Sequence, residues 1–104
     1  MKIVFTTCNS GDKARQMGRV LVQEKLSACV QIVPRIMSIY HWKEAVCTDE
    51  EWLLIIKTGG EKLARLKERI ADLHTYAIHE VVILDGEIGS PEYAKWFNGV
   101  LTNK

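Results

Sequence analysis

The feature that most constrains this chain is a pair of strand runs too long for the body that carries them. Residues 28–42 read almost wholly as strand, and a second run fills 46–58. Strands commonly run about 5–6 residues, so a hairpin of this length reaches past any body that 104 residues can build. An arm standing clear exposes backbone donors and apolar side chains, which other chains commonly cover. An oligomer is therefore expected before any chemistry is read.

The length suits one domain spanning residues 1–104. The net charge of +1 supplies no bulk attraction for nucleic acid or an anionic membrane. Apolar runs end well short of the roughly 20 residues that cross a bilayer. Thr6-Thr7-Cys8-Asn9 cuts the first apolar run short, so Met1 to Phe5 opens a strand rather than a signal peptide. A cytoplasmic location is expected. Cys8, Cys29 and Cys47 are an odd number with no close pair, which excludes a disulfide scaffold and fits reduced thiols packed as small apolar groups.

Residues 2–7 predict a first strand. Asn9-Ser10-Gly11-Asp12 is turn chemistry, with Ser10 or Asp12 available to cap a helix over 13–25. Ala14, Met17, Leu21 and Val20 mark that helix's inner side. Pro34, which has no N–H, places an edge or a bulge in the long strand. Lys43-Glu44-Ala45 predicts the hairpin loop. The unbroken run Trp52-Leu53-Leu54-Ile55-Ile56 predicts a strand buried on both faces. Thr58 and Glu61 have capping-box spacing for a second helix, with Leu63, Leu66, Ile70 and Leu73 as its apolar stripe. Residues 74–79 link it to a last strand over 80–84. Ser90-Pro91-Glu92 starts a final helix whose Tyr93, Trp96, Phe97, Val100 and Leu101 share one side. Trp52 and Trp96 are expected in the core. The order β-α-β-β-α-β plus a terminal helix is the ferredoxin-like α+β arrangement.

That fold hosts many activities, and several fail here by absence. Cys8 is followed by Asn9, Ser10 and Gly11, so the C-x-x-C of a metallochaperone is missing. Neither central strand carries the aromatic and basic pattern of an RNA-recognition domain. No P-loop, G-x-G-x-x-G or H-E-x-x-H is present. No enzymatic activity is expected.

Several segments, in order along the chain, match one family. Glu24-Lys25-Leu26-Ser27-Ala28-Cys29 resembles an E-K-L-A-A-C segment, and Ser38-Ile39-Tyr40-His41-Trp42 an S-x-Y-x-W strand. Glu51 followed by Lys57-Thr58 resembles an E-x5-K-T run. The stretch from His74 to Glu80 resembles an H-P-Y-x-x-P-E linker, and Tyr93 with Trp96 a Y-x-x-W helix. The family is that of the CutA divalent-cation tolerance proteins. The resemblance implies a homotrimer of ferredoxin-like subunits paired through their long hairpins, PII-like in architecture. It also implies a link to copper and other divalent cations. Three departures stand out. Thr75 and His79 replace the family's linker prolines, Glu44 replaces a hairpin glycine, and Thr6 stands where some members have cysteine.

Two groups of residues are candidates for chemistry. His74 and Glu80 would bring an imidazole nitrogen and a carboxylate together across a short linker, a donor set suited to copper(II) and, second to it, zinc. Cys29 would add a soft ligand for copper(I). The competing structural readings have His74 satisfying the last turn of the second helix, Glu80 merely opening a strand and Cys29 in the core. His79 adds a donor that the family motif lacks. Tyr40, Trp42, Lys57 and Tyr76 form the second group, aromatic walls with one ammonium that would suit a small anionic ligand. The alternative there is plain packing between subunits, where Tyr and Trp are enriched. Cys47, near the hairpin tip, is the thiol best placed to react. The functional readings are a trimeric metal-binding tolerance protein, a PII-like small-ligand sensor, or a scaffold for an unknown protein partner.

Overall fold

The computed structural model describes residues 1–102. Its elements are β1 (Lys2–Cys8), α1 (Gly11–Gln23), β2 (Cys29–Trp42), β3 (Ala45–Thr58), α2 (Leu63–Leu73), β4 (Val82–Asp85) and α3 (Pro91–Thr102). The four strands form one sheet in the order β2-β3-β1-β4, every pair antiparallel. Each crossover therefore straddles a strand, as the ferredoxin-like arrangement requires.

Local chemistry sets most boundaries. Ser10 Oγ accepts the Lys13 N–H at 3.1 Å, so α1 begins two residues ahead of expectation, at Gly11. Ser90 Oγ accepts the Tyr93 N–H at 3.4 Å and starts α3 as expected. The capping box at α2 does not form. The Thr58 hydroxyl instead donates to the Leu26 carbonyl at 2.7 Å, and a single 3₁₀ turn, Gly60–Lys62, leads into the helix. Thr58 thus ties the segment just before β2 to the end of β3. β4 begins at Val82, two residues later than expected.

Helices α1 and α2 lie on one side of the sheet. Val4, Cys8, Leu54 and Ile56 are buried there against Ala14, Met17, Leu21, Leu66 and Ile70. Strand alternation puts Ile3, Phe5, Leu53 and Ile55 on the opposite side, and none of them is fully buried. The two-sided burial expected of β3 is therefore found on one side, because both helices occupy the same face. Helix α3 makes a separate cluster, with Phe97 and Leu101 buried beside Ala28. Trp52 packs half-buried against the main core, but Trp96 is 48% exposed and does not join the core expected of it.

Beyond the body, β2 and β3 continue as a two-stranded arm. The border is a bulge: pairing jumps between Val33 and Ile36, and Arg35 takes a left-handed φ of 60° directly after Pro34. At the tip the ladder closes with Trp42 opposite Ala45, leaving Lys43 and Glu44 as a two-residue turn. Both have positive φ, 48° and 67°, the geometry of a type I′ turn that usually recruits glycine or asparagine. Met37, Ile39 and Val46 on the arm are 74%, 67% and 68% exposed.

Candidate functional site

The arm leaves the body where the linker between α2 and β4 passes, and the two build a cleft there. His74 ends α2 in an extended conformation and anchors the linker. Its Nε2 lies 2.7 Å from the Thr7 carbonyl oxygen, while its Nδ1 accepts the Tyr76 N–H at 3.2 Å. One tautomer serves both bonds: the proton sits on Nε2 and is donated to Thr7, leaving the Nδ1 lone pair for Tyr76. Burial holds the ring's pKa below the ordinary histidine value; the Thr7 carbonyl pulls the other way. The His79 ring stacks on His74 at 5.1 Å, and the Tyr76 ring lies at 4.6 Å.

Two tyrosine hydroxyls are spent on carboxylates. Tyr76 donates to Glu51 Oε2 at 2.6 Å, and Tyr40 donates to Asp49. Burial, followed by the bond to Glu51, pushes the Tyr76 phenol upward. The bond to Asp49 is the main cause that raises Tyr40 to about 12. Both phenols are therefore protonated donors at neutral pH. Glu51 is only 8% exposed, an unusual place for a carboxylate.

The cleft measures about 710 Å³. Tyr40, Trp42 and Tyr76 give it aromatic walls. Asp49, Glu50, Glu51 and Glu80 give it four carboxylates, and His41 with His79 two imidazoles. Among the described residues, none of its lining side chains is lysine or arginine.

The residues singled out in the sequence are divided by this geometry. Of the aromatic group, Tyr40, Trp42 and Tyr76 share the cleft, and Lys57 does not. Tyr40 pairs with Cys47, ten residues along β3 from Lys57, which at about 3.3 Å per residue is roughly 33 Å. The cleft is consequently anionic, the reverse of the charge expected with the lysine present. Of the metal candidates, Glu80 lines the cleft. His74 stands behind its wall with both ring nitrogens engaged. Cys29 pairs with Lys57 at the far end of the sheet. Among the described residues, no three or more His, Cys, Asp and Glu side chains converge to hold a metal ion. Cys8 is buried, and burial raises its pKa to about 11, so it is an inert thiol. Cys47 is half-buried on the arm.

Glu51 is the residue that sequence reasoning passed over as a carrier of chemistry. Its signal was the last acid of Asp49-Glu50-Glu51, set directly before the apolar run Trp52 to Ile56 and on the same strand face as Leu53 and Ile55.

The fold has known counterparts. The family described as CutA1 divalent ion tolerance protein matches residues 2–100. The Divalent-cation tolerance protein CutA of Thermus thermophilus is 42% identical over 95 residues, covering 91% of this chain and 92% of that protein. The Protein CutA homolog of Xenopus laevis is 39% identical over 101 residues, covering 97% of this chain and 67% of that protein. A solved structure described as a PII-like protein CutA from Nostoc, in apo form, superposes with a TM-score of 0.88. It is 34% identical, and the match covers 97% of each chain. With its order of elements, its long arm and a match over nearly its whole length, the chain belongs to the CutA1 divalent ion tolerance family.

Proposed function

We propose that the protein works as a homotrimer in tolerance or response to divalent metal ions, with the cleft at the base of the arm as its cation site. The observation that carries this reading is the cleft's composition: four carboxylates and two imidazoles, with no cationic side chain among its lining residues. Carboxylate and imidazole together suit copper(II), with zinc second. Because three donors do not converge within one chain, the ion is held between copies. His79 and Glu80 supply the nitrogen and oxygen donors on this side. His74 joins the set only by releasing the Tyr76 N–H, so its main part is to hold the linker in place.

The trimer is supported by what the chain leaves uncovered. The sheet face opposite the helices is half-exposed, the edge strand β4 presents Val82, Ile83 and Leu84 to solvent, and the arm stands clear. Self-association covers all three at once. The three free thiols suit a reducing cytoplasm, where we place the protein. We assign it no catalytic step.

The test is calorimetric titration of the reduced protein, at known oligomeric state, with copper(II) and zinc(II). Saturable, stoichiometric binding that weakens in His79→Ala and Glu80→Ala supports the site. Uptake that does not saturate, or that both variants leave unchanged, refutes it.

A further inference from the structure

We propose that the same cleft takes a linear organic diammonium ion, its two ends on carboxylates and its carbon chain against the rings of Tyr40 and Tyr76. The inference rests on the reading of the cleft as a cation site and names a different class of cation for it.

Size gives the first argument. The cleft's volume of about 710 Å³ falls in the range of about 300–1,000 Å³ typical of sites for whole organic molecules. A bare metal ion leaves most of it empty and needs converging donors, which are lacking among the described residues. An ammonium group needs only one or two oxygens at hydrogen-bond distance and accepts an aromatic face in place of a further donor.

Spacing gives the second. Asp49 and Glu51 lie two residues apart on one face of β3, about 7 Å at roughly 3.4 Å per residue. That separation is comparable with the distance between the amino groups of an extended four-carbon diamine. Tyr40 on the facing strand, β2, pairs with Cys47 and reaches Asp49 with its hydroxyl, so its ring lies at that end of the row. Trp42, opposite Ala45, lies nearer the tip, where the Lys43 ammonium faces it at 5.8 Å.

The third argument is an incomplete set of bonds. Glu51 is more than nine-tenths buried, yet only its Oε2 is engaged, by the Tyr76 hydroxyl. Among the described residues Oε1 has no protein partner, although the side chain lines the cleft. A carboxylate offers about four lone-pair sites, and Oε1, which is not among the buried atoms left without a partner, opens toward the cleft. An ammonium N–H on Oε1 completes the set. Asp49, with one bond from Tyr40, receives the other end.

The experiment is calorimetric titration of the intact oligomer with putrescine in metal-free, chelator-treated buffer, with its uncharged diol analogue as control. Putrescine is expected to bind saturably, more weakly as sodium chloride is added, and the diol not at all. Affinity is expected to fall about three- to thirtyfold in Tyr40→Leu and in Glu51→Gln. The remote Glu61→Gln is expected to bind as the parent does. Because Glu51 is buried, Asp49→Asn on the exposed side is measured as well, and each variant is first shown to melt cooperatively. Putrescine binding no tighter than the diol overturns the proposal, as does undiminished binding in folded Glu51→Gln and Asp49→Asn. A parallel copper(II) titration separates the two readings. Copper binding with putrescine silent defeats this inference and leaves the metal reading standing; putrescine binding with copper silent does the reverse.

Discussion

The two halves of the β2–β3 ladder share one pairing scheme and differ in what covers them. In the body, Leu54 and Ile56 lie on the ladder completely shielded by α1 and α2. In the arm, beyond the bulge at Pro34 and Arg35, Met37, Ile39 and Val46 are as apolar and stand mostly in solvent. The backbone bonds are continuous apart from that bulge, so hydrogen bonding does not distinguish the halves. Burial does. The body's apolar residues hold this chain together, while the arm's contribute almost nothing to it and are free to cover another copy.

The strongest challenge to this contrast is Leu54→Ala. It should cost about 2–5 kcal/mol of unfolding free energy, because a fully enclosed leucine leaves a cavity. Chemical denaturation measures it, and a change near zero would mean that the body is not the stabilising half. In the arm, Ile39→Glu should leave the subunit's unfolding free energy within about 0.5 kcal/mol, as for other surface changes. It should nonetheless lower the solution mass, so a variant that still associates fully would break the contrast from the other side. At the arm's tip, Glu44→Gly removes a side chain from a left-handed position. Part of the gain is lost to the freer unfolded chain, leaving less than about 1 kcal/mol of stabilisation; a destabilised variant would contradict the type I′ turn.

The smallest effect concerns the linker that passes the base of the arm. Burial depresses the pKa of His74 in the folded state, whereas an unfolded histidine titrates near about 6.5. Its contribution to stability is therefore complete above about 6.5 and is lost as pH falls through the lower folded value. The denaturation midpoint should drop on acidification through that window, and less steeply in His74→Ala. Equal slopes in both proteins would remove His74 from the account.

The fold was legible because its signals are local: β-branched runs, the caps at Ser10 and Ser90, and a proline at the bulge. The hairpin's excess length also announced that the chain would leave surface uncovered. The site was legible only in part. Tyr40, Trp42, Tyr76 and Glu80 stood out by residue type, and the structure does bring them to one cleft. Lys57 stood out equally and lies at the other end of β3, since strand register separates residues that motif spacing groups together. Glu51 was underrated because an acid in a strand ordinarily faces water, and its burial depends on Tyr76 arriving from a distant linker. Thr58 was read as a cap because its partner across the fold, the Leu26 carbonyl, leaves no mark in nearby sequence.

The central claim is that the helix-covered core is complete within one chain, whereas the arm and the open face of the sheet are not. Sedimentation equilibrium of the purified protein at micromolar concentration tests it most directly. The account predicts a mass of roughly three times the 11.8 kDa subunit. A well-behaved monomer at that concentration would contradict it, since the arm and the open face of the sheet would then stand in water with nothing to cover them.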